Sequence, residues 1–318
     1  MTQTRRVAIL GATGHVGKCL VEALSADARY EVVAVARSMP KLEAFLRSLP
    51  ASDGIRQCHL DAFTDGAYDA VVNCIGEGDP SALARDAGGV MSVTEHFDDI
   101  TMGYLRSHPG TRLVNFSSGA AYGGSFAEPA REESTAGFEV NRLHASDVYG
   151  LAKLSSEARH RAAADCSIVD LRLFSFFSRH IDSCRRYFMN DVMAAIADST
   201  VLITGEADIV RDYVDRSDLA SLVACVIESE PRNDVLDVYS SGPVRKSELL
   251  KELAGLYGLE YRIDPGLDIS SSTGEKLNYY SVNRRAGEIG YVPRYSSIET
   301  LRREVDAVMG QAERGQVE

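Results

Sequence analysis

Short apolar runs alternate with amphipathic stretches through the first half of the chain. Val7-Ala8-Ile9-Leu10 is unbroken apolar sequence that stops at a glycine, which predicts a strand buried on both faces of a parallel sheet. Apolar spacing from His15 to Ala26 follows a helical period, and Glu31 to Ala36 is β-rich again. The same alternation predicts a short helix over Pro40 to Leu49, strands at Ile55 to Leu60 and Tyr68 to Ile75, a helix between Ser81 and Ser107, and a fifth strand at Arg112 to Phe116. A long polar loop, Gly123 to Ala145, separates that strand from a helix around Tyr149 to Ala164 and a sixth strand, Ser167 to Leu173. Strands and helices in strict alternation imply a parallel sheet with right-handed crossovers and helices on both faces. The predicted fold class is α/β, with a doubly wound sheet.

Past Phe174 the rhythm becomes irregular. Helices are expected near Arg186 to Ala197, Ser217 to Glu228, Lys246 to Tyr257 and Ser297 to Met309, with a strand at Val235 to Tyr239. The expected division places 1–173, with 211–242 returning to it, in the doubly wound domain, and 174–210 with 243–318 in a smaller α/β lobe. The second region reads as too short and interrupted for an independent core. It is expected to cover the carboxyl ends of the strands, where open α/β sheets bind ligands.

Composition narrows the possible partners. The 318 residues include 34 Lys and Arg against 46 Asp and Glu, a net charge of −12 with no basic block, the wrong footprint for a nucleic-acid binder. No apolar run reaches the roughly 18 residues of a spanning helix, and the first residues lack the apolar stretch of a signal peptide, so no membrane contact and a cytoplasmic location are expected. The six cysteines (Cys19, Cys58, Cys74, Cys166, Cys184 and Cys225) contain no Cys-x-x-Cys pair and read as free thiols of a reducing compartment. The 7 histidines show no metal-like spacing, and no metal is expected.

Gly11-Ala12-Thr13-Gly14-His15-Val16-Gly17 follows the first strand and opens the first helix. Gly11 permits a tight turn, Gly14 lets backbone N–H groups approach a pyrophosphate, and Gly17 allows close helix–sheet packing. In this strand–turn–helix setting the motif reads as a dinucleotide site with the diphosphate at the helix N-terminus. The second strand ends in Ala36-Arg37-Ser38 with no acid to hold the ribose hydroxyls of NAD. Arg37 is suited to fork onto a 2′-phosphate and Ser38 to add a donor, so NADP(H) is preferred, with NAD(H) the alternative. An Arg there also serves as a plain solvated charge. Asp61, after the third strand, is placed to accept from the adenine amino group and reads equally as a turn residue.

Tyr149 and Lys153 stand four apart, on one face of the predicted helix. A phenol with an ordinary pKa near 10 needs a neighbouring cation to act as an acid/base at neutral pH. Ser117-Ser118 after the fifth strand would reach the same ligand face, where Ser118 meets Tyr149 over a substrate oxygen.

With these residues in place, the chain resembles an extended short-chain dehydrogenase/reductase of the nucleotide-sugar epimerase/dehydratase group, a Rossmann-fold family. The resemblance runs over nearly the whole chain. It is carried by Gly11–Gly17, Asn115-Phe116-Ser117-Ser118 with Tyr122-Gly123, Tyr149 with Lys153, Leu171-Arg172-Leu173-Phe174, and Arg211-Asp212-Tyr213-Val214-Asp215 running into Asp218-Leu219-Ala220. It implies a catalytic set of Ser118, Tyr149 and Lys153. It further implies a cofactor site of Gly11, Thr13, Gly14, His15, Val16, Gly17, Arg37, Ser38, Asp61, Ala62, Cys74, Ile75, Gly76, Phe116, Ser117, Tyr149, Lys153 and Leu173. Ser118, Ser175 and Arg211 would bind substrate, with Arg211 on the diphosphate of a nucleotide-linked sugar, and the protein would form a homodimer.

Departures from the family pattern bear on the reaction. Dehydratases carry an Asp-Glu pair after the catalytic hydroxyl residue; Gly119-Ala120 stands here instead, which argues against water loss. Ser175 replaces the usual asparagine, and Phe176-Phe177-Ser178-Arg179 replaces a common Gly-Pro turn. The leading expectation is an NADPH-dependent ketoreductase acting on a nucleotide-linked keto-(deoxy)sugar, with Tyr149 as general acid. The alternative is an epimerase that uses tightly bound NAD(P) for transient oxidation and reduction. A non-catalytic NADP sensor would have no need of Ser118, Tyr149 and Lys153.

Overall fold

The computed structural model describes residues 4–52, 54–77, 83, 85–124, 126–185, 187–267 and 276–315. Seven parallel strands form the main sheet: β1 (Arg5–Leu10), β2 (Tyr30–Ala36), β3 (Arg56–His59), β4 (Ala70–Asn73), β5 (Arg112–Ser118), β6 (Ile168–Leu173) and, for the seventh, Asn233–Asp237, numbered β9 below. Their spatial order is β3-β2-β1-β4-β5-β6-β9, with the direction of winding reversing at β1. That reversal is where a doubly wound sheet opens a crevice at its carboxyl edge.

The helices on the sheet are α1 (His15–Ser25), α2 (Met39–Arg47), α3 (Ala87–Ser107), α4 (Ala145–Ala162) and α6 (Arg216–Glu228). Successive strand residues point to opposite faces. Val7 and Ile9 therefore join a cluster with Leu20, Val21, Phe45, Leu222 and Val226, while Ala8 and Leu10 join another with Phe63, Met102 and Leu105.

Beyond β6 the chain forms α5 (Phe188–Asp198), β7 (Leu202–Thr204) and β8 (Val210–Arg211), returns through α6 and β9, and continues as β10 (Val244–Arg245), α7 (Lys246–Tyr257), β11 (Tyr261–Ile263), β12 (Asn278–Tyr279) and α8 (Ser297–Gly315). A three-stranded sheet, β10-β8-β12, and a two-stranded sheet, β11-β7, lie here. Contrary to expectation, this region has an apolar cluster of its own, in which Phe177, Met189 and Val192 pack on Leu249, Leu253, Leu301 and Val305. The interruptions in the sequence hid it, because its members come from segments far apart in the chain.

Helix and strand positions follow the predicted pattern with shifts at the ends. The fifth strand runs two residues further than its apolar stretch, so Ser117 and Ser118 are strand residues, and α8 continues past Met309. Ser81 and Arg186, where two predicted helices begin, lie outside the described residues. Among the described residues, no helix is long and apolar enough to cross a membrane.

Candidate active site

The turn after β1 is built as a cradle. Gly11 has φ +76°, a backbone region that favours glycine, and a Cβ on Gly17 would stand 2.1 Å from the Gly11 carbonyl oxygen. Helix α1 starts at His15 behind Gly14, whose position supplies no side-chain cap, so the first-turn N–H groups are left to the space above them. Thr13 and Val16 sit partly buried in the same turn. The His15 ring lies against Phe176, with centroids 4.7 Å apart, and its Nε2 is 2.8 Å from Ser178 Oγ. Burial, with the charge of His180 next, pushes His15 down to about 3, so the ring is neutral at physiological pH.

Beside this turn, Asn73 at the end of β4 accepts from the Ile75 N–H at 3.1 Å and donates to Asn115 on β5 at 2.9 Å. The loop Cys74-Ile75-Gly76 is thereby fixed against the next strand. A Cβ on Gly76 would come within 3.2 Å of Lys153 Nζ, which places the loop directly over the lysine. Glu77 continues it and forms an ion pair with Arg185 from the segment after β6. These cradles, together with the open helix end, fit a dinucleotide diphosphate and its adjoining ribose.

At the far end of β2, Arg37 is exposed and Ser38 stands at the N-cap of α2 with no capping bond from its side chain. Among the described residues, no carboxylate is within ion-pair distance of Arg37; its carbonyl accepts from His59 Nε2 at 3.1 Å. Asp61 and Ala62 are exposed in the 3-10 turn after β3, and the Asp61 carboxylate is 3.5 Å from His59 Nδ1.

Phe116, Ser117 and Ser118 are buried at the carboxyl end of β5, next to Leu173 at the end of β6. Helix α4 carries Tyr149 and Lys153 over them. It approaches this closely because a side chain on Gly150 would collide with the Ala120 carbonyl at 2.4 Å. Lys153 is 4% exposed, and its ammonium donates to the Phe116 carbonyl at 2.9 Å and stands 5.9 Å from the Tyr149 ring centre. Burial lowers the Lys153 pKa, while Asp170, then Glu157, act to keep it charged. Burial raises the Tyr149 phenol, Ser118 hydrogen bonding opposes the rise, and the Glu77 charge adds to it. The three expected catalytic side chains therefore meet at one place. Glu157, one turn beyond Lys153, accepts from Ser117 Oγ at 2.5 Å and from Arg172.

On the lobe side, Ser175 bridges to Tyr213, and Arg211 sits on β8 beside Tyr279 of β12. The Arg211 guanidinium donates to the carbonyls of Val210 and Lys276, and lies 5.7 Å from the Tyr279 ring centre. Lys276 itself is buried, 4.5 Å above the same ring; burial, then the Arg211 charge, brings it down to about 8. The Tyr279 hydroxyl lies 3.1 Å from Ser118 Oγ. Lys276 and Tyr279 are site residues that sequence reasoning missed. Tyr279 ends a strand of two residues and Lys276 precedes it outside any regular element, so no pattern along the chain marks them.

Residues 7–240 match the NAD dependent epimerase/dehydratase family. No curated protein matches the sequence. Among solved structures, the chain is similar to a UDP-glucose-4-epimerase from Stenotrophomonas maltophila with bound NAD and formylated UDP-arabinopyranose (18% identity, TM-score 0.81, covering 98% of this chain and 99% of that one). It is also similar to UDP-glucuronic acid 4-epimerase from Bacillus cereus with UDP-glucuronic acid and NAD (16%, 0.78, 96% and 99%) and to dTDP-glucose 4,6-dehydratase from Bacillus anthracis with NAD (14%, 0.77, 98% and 98%). At such identities these likenesses speak for the fold.

Proposed function

The chain belongs to the NAD dependent epimerase/dehydratase family, and on that premise we propose that it is a ketoreductase that reduces the carbonyl of a nucleotide-linked keto-sugar with NADPH. The observation that carries the proposal is the meeting of Ser118, Tyr149 and Lys153 at the end of β5, beside a dinucleotide cradle.

The bound nicotinamide would supply the hydride; the protein handles the oxygen and the proton. Ser118 holds the reacting oxygen, Tyr149 gives it a proton, and the Lys153 ammonium favours the phenolate that remains. Lys153 also has donors to spare for a ribose hydroxyl, since one of its three is spent on Phe116. Arg211 and Lys276 offer two positive charges with no carboxylate in ion-pair distance among the described residues, which suits the diphosphate of a nucleotide sugar.

Two further observations support reduction over the neighbouring chemistries. A Cβ on Gly119 would stand 2.4 Å from the Phe174 ring, so that ring fills the space where a dehydratase needs its carboxylate. Arg37, with no carboxylate in ion-pair distance among the described residues, and Ser38, whose side chain makes no capping bond, suit a 2′-phosphate, and a consumed cofactor is more often NADPH.

Calorimetric titration with NADPH and NADH, before and after Arg37→Ala, tests the cofactor. The variant is expected to weaken NADPH by roughly ten- to a hundredfold and leave NADH almost unchanged. Equal affinity of the wild type for both, or NAD retained through purification, would overturn the reductase and favour an epimerase. Loss of NADPH absorbance with a nucleotide-linked 4-keto-6-deoxysugar tests the reaction.

A further inference from the structure

Ser118 has one proton and two lone pairs to distribute. Its oxygen already accepts from the Ala120 backbone N–H at 3.2 Å. The Tyr279 hydroxyl, at 3.1 Å, is the second partner, and the direction of that bond decides where the serine proton points. If Ser118 donated to Tyr279, nothing would remain for the reacting oxygen. If Tyr279 donates, both lone pairs of Ser118 are engaged and its proton is turned toward the pocket and Tyr149.

We propose that Tyr279 is a positioning residue that donates to Ser118 and so aims the serine proton at Tyr149 and at the oxygen that reacts there.

The surroundings hold the phenol for this task. Its ring meets Phe126 and Phe174 edge-on, with centroids 4.9 and 5.2 Å away, and Lys276 covers a face at 4.5 Å. Burial raises the Tyr279 phenol, so it stays protonated and able to donate wherever the enzyme is folded at ordinary pH. The strap that carries it is anchored on both sides. Asn278 N–H donates to the Phe126 carbonyl at 2.9 Å, and Ser281 donates to Asp237 at 2.6 Å and touches the Ala130 carbonyl. Asp237 in turn accepts from Tyr122, which stands just past Ser118 in the chain. The lobe thus reaches the catalytic serine through a fixed hydroxyl.

A proton donated to a phenolate stabilises it, so the aim of Ser118 is readable in the ionisation of Tyr149. The charged and titratable groups around that readout are Lys153 and Glu77 for Tyr149, and Lys276 and Arg211 for Tyr279. The proposal rests on the assignment of Ser118 and Tyr149 as a catalytic pair. Its test uses no sugar, so failure to find a substrate leaves the result standing.

The full chain carrying carbon-13 at the tyrosine Cζ is titrated by NMR, with the Tyr149 resonance assigned by its loss in Tyr149→Phe. Tyr279→Phe keeps the ring and removes the hydroxyl. It is expected to raise the Tyr149 pKa by about half a unit or more. Ser118→Ala is expected to raise it at least as far, and the double variant no further than Ser118→Ala alone. An unmoved Tyr149 in Tyr279→Phe, an unmoved Tyr149 in Ser118→Ala, or full additivity would each overturn the proposal. Should Tyr279→Phe fail to fold, the Tyr279 resonance itself is compared between wild type and Ser118→Ala, and an unchanged shift overturns the proposal.

Discussion

Two groups of buried charge lie in this molecule, and they are built on opposite plans. Under α3 and α4, His160 is fully buried with Asp98 on one ring nitrogen at 2.6 Å and Asp170 on the other at 2.9 Å. Arg159 meets Asp98, Arg161 meets Asp170, and Asn115 donates to Asp170 at 2.7 Å. Asp99, which also meets Arg159, completes the balance of charge, and through Asn115 and Asn73 the cluster sets the loop beside Lys153. On the β10-β8-β12 sheet side, Arg211 and Lys276 stand close together over Tyr279 with no carboxylate within ion-pair distance among the described residues, the Asp147 charge acting on Lys276 only from further off. A buried charge without a partner is costly and is retained where a ligand supplies the partner. The first cluster is closed on itself, and the second is left open for the diphosphate proposed above.

The largest effect should come from breaking the scaffold. Asp170→Ala leaves Arg161 without its carboxylate and His160 with Asp98 alone, and loss of one partner in a buried pair costs about 3–5 kcal/mol. Urea unfolding would show this; a stability unchanged within about 1 kcal/mol would mean the cluster is incidental.

Next in size is a dependence on pH. Burial works against a charged His160, but the hydrogen bonds of Asp170 and Asp98 lift it to about 9. The unfolded value is near 6.5, so this stability is fully present below pH 6.5 and is lost as pH rises through 9. The shift corresponds to about 3 kcal/mol. His160→Gln should flatten the wild-type decline between pH 7 and 9.5, and parallel declines would refute the pairing.

Removing the lobe cations should do the reverse of removing Asp170. Arg211→Met or Lys276→Met is expected to weaken UDP binding by roughly ten- to a hundredfold each while leaving the urea midpoint in place. A variant that binds UDP normally but unfolds early would place its cation with the scaffold instead.

The smallest effect concerns Lys276 alone. Held at about 8, it loses its charge as pH passes that value. UDP affinity should fall by up to about tenfold between pH 7 and 9 in the wild type, and much less in Lys276→Met.

Local motifs and long-range contacts differ in how they show in the sequence as well. The dinucleotide turn is written in adjacent residues, because Gly11, Gly14 and Gly17 answer to the backbone geometry of one strand–turn–helix unit. Tyr149 and Lys153 are visible for the same reason, since four residues of helix put them side by side. Nothing in the local sequence Arg159-His160-Arg161 marks His160 as buried, because its carboxylate partners come from α3 and β6. Tyr279 escapes altogether. Its place beside Ser118 depends on pairing with β8 and on a strap held by Asp237, contacts with no local signature. Local chemistry was legible, and whatever depended on distant partners was not.

The order in which the sheet is assembled has a consequence for synthesis. Six of its seven strands lie before residue 174, while the seventh, β9, pairs Asn233 with Ile168 across the whole first part of the lobe. A nascent chain that has emerged only as far as Leu173 holds the glycine turn and all three side chains proposed for catalysis, but its β6 edge is unpaired. Val169 and Leu171 on that edge are apolar and, in the finished fold, fully buried. Until β9 arrives, the growing chain carries an open strand of the kind other chains add to. The lobe inserted between these two strands therefore prolongs the interval in which the unfinished protein is most exposed to aggregation.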